Sequence, residues 1–198
     1  GNETATIWRF LLRKDVTFHD GSTFDAGDVA YSMGFMLDPA IDSPLISTLG
    51  IIDHVEVIDA HTVDLHLKAA HADFPVLLMD YRARIIPQDA GLNIRTRGTG
   101  TGPFMLSELD PEGVTKLIAN PNYFLGPPGL DAIEVIAVSD ANARMQAFLS
   151  GQLDMVERVS PRLQALFRGN PRFSLQRFPT GDMNPIVFRT DTPPFDDV

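Results

Sequence analysis

The sequence predicts a mixed α/β fold, and three patterns carry that expectation. Trp8, Phe10 and Leu12 alternate with Arg9, Leu11 and Arg13, the period of two that places one strand face in a core. Val29, Met33, Met36 and Leu37 recur at helical spacing, which gives residues 26–37 an apolar stripe. Strand-like and helix-like segments then alternate along the whole chain, the order of α/β or α+β layers.

The elements follow in order. After the first strand, Asp20-Gly21 is a turn, because glycine tolerates positive φ and aspartate bonds nearby backbone. Asp25 is placed to cap the helix, with Asp28 three residues on to meet its free amides. Asp38-Pro39 stops that helix. Residues 51–59 and 62–68 are strand-like runs joined by Asp59-Ala60-His61, a hairpin. Phe74 to Tyr81 is one or two helical turns, and residues 88–102 are a polar, Gly- and Thr-rich connection that marks an internal boundary. Strands are expected at 103–109 and 114–119, and a buried one at 133–138. A helix capped by Ser139, with Ala143, Ala147 and Phe148 on one face, runs to Ser150 and ends at Gly151. Leu153 to Val156 is expected as a strand, Ser160 starts a further helix, and 173–178 and 186–189 read as strands.

The 198 residues suffice for one good core or two small ones, and 44% of them are hydrophobic, as in ordinary globular proteins. Sixteen basic and 26 acidic residues leave a net charge of −10, which argues against nucleic acid as a partner. The absence of cysteine excludes disulfides, Cys–zinc sites and thiol nucleophiles. The apolar runs fall far short of the roughly 20 residues of a membrane helix. The chain opens on Gly1-Asn2-Glu3 and stops at Pro193-Pro194-Phe195-Asp196-Asp197-Val198 with no closing element, so it reads as part of a longer protein.

Chemistry-bearing residues are sparse. His19-Asp20 lacks further ligands at metal spacing and lacks an orienting partner for acid–base work, so His19 reads as structural. His61, His66 and His71 are five apart, which matches no common ligand pattern, and they are expected to face solvent. Gly98-Thr99-Gly100-Thr101-Gly102 opens a strand at Pro103-Phe104 and not a helix, so it has no dipole with which to hold phosphate. No metal, cofactor or catalytic group is assigned. The segment best suited to a small ligand is Asp80-Tyr81-Arg82: Tyr81 offers a flat apolar face, and Arg82 a fork matched to a carboxylate.

The order of motifs resembles the family 5 extracytoplasmic solute-binding proteins of ABC importers, the peptide, nickel and glutathione binders. The resemblance rests on Phe18-His19-Asp20-Gly21 with Asp28-Val29, on Leu65-His66-Leu67-Lys68, on Gly100-Thr101-Gly102-Pro103-Phe104 and on Asn120-Pro121-Asn122-Tyr123-Phe124. Leu130-Asp131-Ala132-Ile133-Glu134, Leu149-Ser150-Gly151-Gln152-Leu153-Asp154 and the final Pro193-Pro194-Phe195 extend it over nearly the whole chain. Gly27 departs from the Glu or Lys commoner there, and Val187-Phe188-Arg189 from the Phe-Asn that family members often carry.

The resemblance implies one lobe of a two-lobed, type II binding-protein fold that closes on its ligand. Residues 1–95 are then an accessory subdomain, 96–190 the core part of the lobe, and 191–198 the start of the crossing to a second lobe. It implies a peptide or small-solute ligand, an ABC permease as membrane partner, and a location outside the cytoplasm, periplasmic or at a lipid anchor. Ligand contacts would come from Tyr81 and Arg82, from Asp182, Met183 and Asn184, and from the loop at Leu45. A hydrolase on an α/β scaffold and an intracellular ligand-sensing module with the same lobe are the alternatives.

Overall fold

The computed structural model describes residues 1–88, 90–157, 159, 164, 167 and 172–176. The chain divides into two compact units, residues 1–137 and 138–198.

In the first unit, β1 (Ile7–Leu11), β2 (Ile52–Asp59) and β3 (Thr62–Leu67) form an antiparallel sheet in the order β1-β3-β2. Register sorts the side chains by face. Trp8 pairs with Leu65 and Phe10 with Val63, while Val55 and Val57 meet the same two residues from the other side. That row faces α1 (Ala26–Leu37), whose Val29, Met33 and Met36 are buried against it, joined by Leu49 from α2 (Ile46–Leu49) and Phe74 from α3 (Phe74–Leu77). The opposite row, Arg9, His54, Glu56, Asp64 and His66, forms the outer face. Irregularities between Val57 and Asp59 and between Ile52 and His54 bracket this register, and the second, with Asp53 as the extra residue, lets Ile52 turn back into the core.

The start of α1 follows the capping expectation in full. The Asp25 carboxylate accepts from Gly27 N–H at 2.7 Å, and Asp28 accepts from Asp25 N–H at 2.8 Å, a reciprocal capping box. Asp28 is buried because its other oxygen also accepts from Gln88 N–H at 2.9 Å. One turn on, the buried Ser32 hydroxyl accepts from Ile86 N–H at 2.9 Å and donates to Asp28 O at 2.6 Å. Tyr31 Oη accepts from Gly91 N–H at 3.0 Å. Ile86, Gln88 and Gly91 are therefore tied to α1 by polar bonds.

The connection at 88–102 is more regular than its composition predicts. A 3-10 turn at Gly91–Asn93 leads into α4 (Ile94–Arg97), which Gly98 ends at φ +57°. A Cβ at Gly98 would stand 3.0 Å from the Leu106 side chain, so glycine answers both the backbone and the space.

Beyond it, β4 (Phe104–Glu108), β5 (Val114–Ala119) and β6 (Ala132–Ile136) form a second antiparallel sheet in sequence order. The turn at 110–113 is held by Asp110, which accepts from Glu112 and Gly113 N–H at 3.1 and 2.9 Å. The expected strand at 133–138 forms, but it is not buried: Val135 is 53% exposed and Ile136 also faces solvent. Among the described residues it is paired with β5 alone, and an apolar run by itself does not say what covers it.

In the second unit, α5 (Ala141–Leu149) is capped by Asp140, whose carboxylate accepts from Ala143 N–H at 2.7 Å; Ser139 is not the cap. Its buried residue is Met145, and Ala143 is exposed. Phe148, Phe167 and Phe173 form an aromatic triangle with ring centroids 5.2–5.9 Å apart. Gly151 follows the helix at φ +80°. Leu153–Val156 is not a strand: Met155 points to solvent, and among the described residues no strand pairs with it. Residues 173–176 are likewise irregular, and the expected helix start at Ser160 and strand at 186–189 lie outside the described residues.

Candidate functional site

Three of the motifs quoted above meet at one carbonyl. His19 N–H donates to Gly100 O at 2.9 Å, and Gly100 N–H donates back to the His19 ring at Nδ1, 3.2 Å. An Nδ1 that accepts leaves the ring proton on Nε2, which donates to Gly102 O at 3.0 Å. The same Gly102 O accepts from the buried Asn120 side chain at 3.0 Å, and Asn120 N–H donates to Pro103 O at 2.8 Å. The glycine-rich segment is thus a clamped strand entry. Sequence reasoning placed His19 in a structural role but gave it no partner, because Gly102 is 83 residues away.

Beside this clamp, Asp20, Arg97, Thr99, Met105 and Ile118 help to line an open cleft of about 470 Å³. A second, smaller cleft of about 140 Å³ lies among Pro87, Gln88, Asn93 and Arg97. Asp20 was weighed from sequence only with His19 and read as part of a turn, and Arg97 was read as part of a polar connection.

Tyr81 and Arg82 sit on the turn after α3, and neither cleft includes them. Tyr81 is 75% exposed. The Arg82 guanidinium forks onto Asp80, with Nε to Oδ1 at 2.9 Å and Nη2 to Oδ2 at 2.5 Å, and it lies 5.5 Å from the Tyr81 ring. Arg82 N–H also bonds Asp80, and Arg84 Nε donates to Tyr81 O. These Arg82 hydrogen bonds hold the Asp80 carboxyl down at about 2. Segment 80–84 is therefore a self-braced loop that presents an aromatic face and an arginine with its Nη1 donors outside the fork.

Leu45 is only 1% exposed and packs in the first core, so its side chain offers nothing to a ligand. Asp182, Met183 and Asn184 lie outside the described residues. The expectation that His61, His66 and His71 face solvent is met in part: all three are half-buried, His66 on the outer face of the first sheet, and His61 Nδ1 and His71 Nδ1 are enclosed.

Comparison with known proteins decides what this scaffold is. The family described as "Bacterial extracellular solute-binding proteins, family 5 Middle" matches residues 2–198. The chain belongs to this family. Family 5 binding proteins are non-catalytic components of ABC transport. Di/tripeptide-binding protein 2 of Pseudomonas aeruginosa is 26% identical over 96% of this chain and 41% of its own length. The nickel-binding periplasmic protein of Escherichia coli is 27% identical over 88% of this chain and 35% of its own. The structure of MoaA from A. tumefaciens R10 in complex with mannopinic acid superposes with a TM-score of 0.85 at 29% identity, covering all of this chain and 41% of that one. The chain thus spans about two fifths of the length of these relatives.

Proposed function

We propose that this chain forms most of one lobe of an extracytoplasmic receptor that captures a peptide or related small solute and delivers it to an ABC permease. The family match over residues 2–198 carries the reading. The di/tripeptide binder among the relatives supports a peptide, while the nickel and mannopinic acid proteins show how far ligands vary across such similarity. Residues 1–95 act as an accessory part of the lobe, 96–190 as its core part, and 191–198 lead toward the second lobe. Ligand favours the closed arrangement of the two lobes because it touches both, and the closed form docks on the permease.

Tyr81 and Arg82 orient the ligand on this wall. The exposed Tyr81 ring supplies apolar area, and Arg82 retains donors beyond the two that Asp80 occupies. Asp182, Met183 and Asn184 supply polar contacts, and Leu45 takes part only through the backbone of its loop. Calorimetric titration of the full-length protein with a di- to tripeptide panel tests this. Arg82→Ala is expected to weaken peptides with a free carboxylate by at least about tenfold, the scale of one charge-assisted bond. An unchanged Kd removes Arg82 from the site.

A further inference from the structure

The outer face of the first sheet holds a constellation that solute capture does not use. Glu56 pairs with Asp64 across β2 and β3, and two residues along, on the same face, His54 pairs with His66. Ligating atoms of Glu56, Asp64 and His66 all lie within 4.8 Å of one another, and Glu56 Oε2 stands 3.0 Å from His66 Nε2. The His54 ring stacks on His66 at 4.2 Å and 13°, which fixes the plane of the ligating imidazole, and His54 Nδ1 is held by Asp53 at 2.8 Å.

We propose that Glu56, Asp64 and His66 bind a divalent first-row transition cation, with Zn²⁺ as the probe. One imidazole with two carboxylates is a donor set of that class, whereas Mg²⁺ and Ca²⁺ favour oxygen alone. Zinc ligands stand roughly 2.0–2.2 Å from the ion. The Glu56 side chain is 54% exposed and has room to turn toward an ion. Three protein donors leave at least one position for water or another ligand.

The obstacle is Arg9, which bonds both Asp64 oxygens at 2.7 and 2.6 Å. It does not close the site. An ionised carboxylate offers about four lone-pair positions, of which Arg9 takes two. The Arg9 side chain is more than half exposed and free to withdraw, whereas Asp64 is buried and stays in place. Asp59 at the end of β2 adds negative charge near Arg9. The sequence hid the cluster because Asp64 and His66 lie eight and ten residues from Glu56 and are brought together only by cross-strand register, which shifts between Val57 and Asp59 beside the turn.

Titration of the chain with ZnCl₂ by calorimetry, with imidazole ¹⁵N spectra read in parallel, tests the site. One equivalent is expected to bind, with shifts at His66 and His54 and none at His19. Glu56→Gln and His66→Ala, both at partly exposed positions, should each weaken binding tenfold or more with the circular dichroism unchanged. Arg9→Gln should tighten it several-fold. Absence of stoichiometric binding, equal affinity in both ligand variants, or equal affinity for Mg²⁺ would overturn the proposal.

Discussion

The two three-stranded sheets of residues 1–137 share antiparallel pairing and differ in what lies on them. The first is roofed by α1, with Phe74, Leu49, Leu65 and Val63 sealed between, and Ile86 and Gln88 are tied to that helix. The second carries apolar residues of similar character, yet Ile118, Val135 and Ile136 stand exposed. Alternation makes a strand in both cases, but only a covering element turns its apolar row into stability.

Truncation separates the two sheets. Phe74 is fully buried and its ring sits 6.3 Å from Trp8, so Phe74→Ala should cost about 3–5 kcal/mol in chemical denaturation. Val135→Ala removes a half-exposed side chain and should cost under about 1 kcal/mol. Equal losses would mean that the second sheet is as well covered as the first. The smallest effect concerns the Asp80–Arg82 pair. Asp80 is held at about 2 by Arg82, below the ordinary value of about 3.9. Its contribution to stability is therefore complete above pH 4 and lost as pH falls toward 2. A carboxyl NMR titration of Arg82→Ala should show the Asp80 midpoint return toward the ordinary value, with little change in stability at neutral pH.

What was legible in the sequence is what local chemistry decides. Asp25 and Asp28 announce their capping box within four residues, and Asp59-Ala60-His61 announces its hairpin. The Asp80–Arg82 fork is equally local, spanning two residues. The misses depend on distant partners or near-equal local choices. Ser139 and Asp140 are both good caps, and only the extended backbone at Asp140 with its carboxylate on Ala143 separates them. The exposure of β6 and the lack of a strand at Leu153–Val156 depend on which elements come to pack there. At the candidate site, Tyr81 and Arg82 are where a ligand can reach them, while the fate of Leu45 was decided by the core that α2 closes. The Glu56–Asp64–His66 cluster follows from cross-strand register, which spacing along the chain does not reveal.

The shared Gly102 carbonyl also carries information about the order of assembly. Its bond from Asn120 closes a loop of 18 residues, and its bond from His19 closes one of 83. Loop-closure entropy grows with the logarithm of length, so the longer closure costs about 1.3 kcal/mol more before any contact is gained. The second hairpin thus shapes its own entry first, and the His19 ring arrives afterwards to fasten it to the first sheet's half. A φ-value near zero at His19, beside a higher one at Asn120, is the kinetic signature of that sequence of events. One oxygen then records both the early local step and the late joining of two distant stretches of chain.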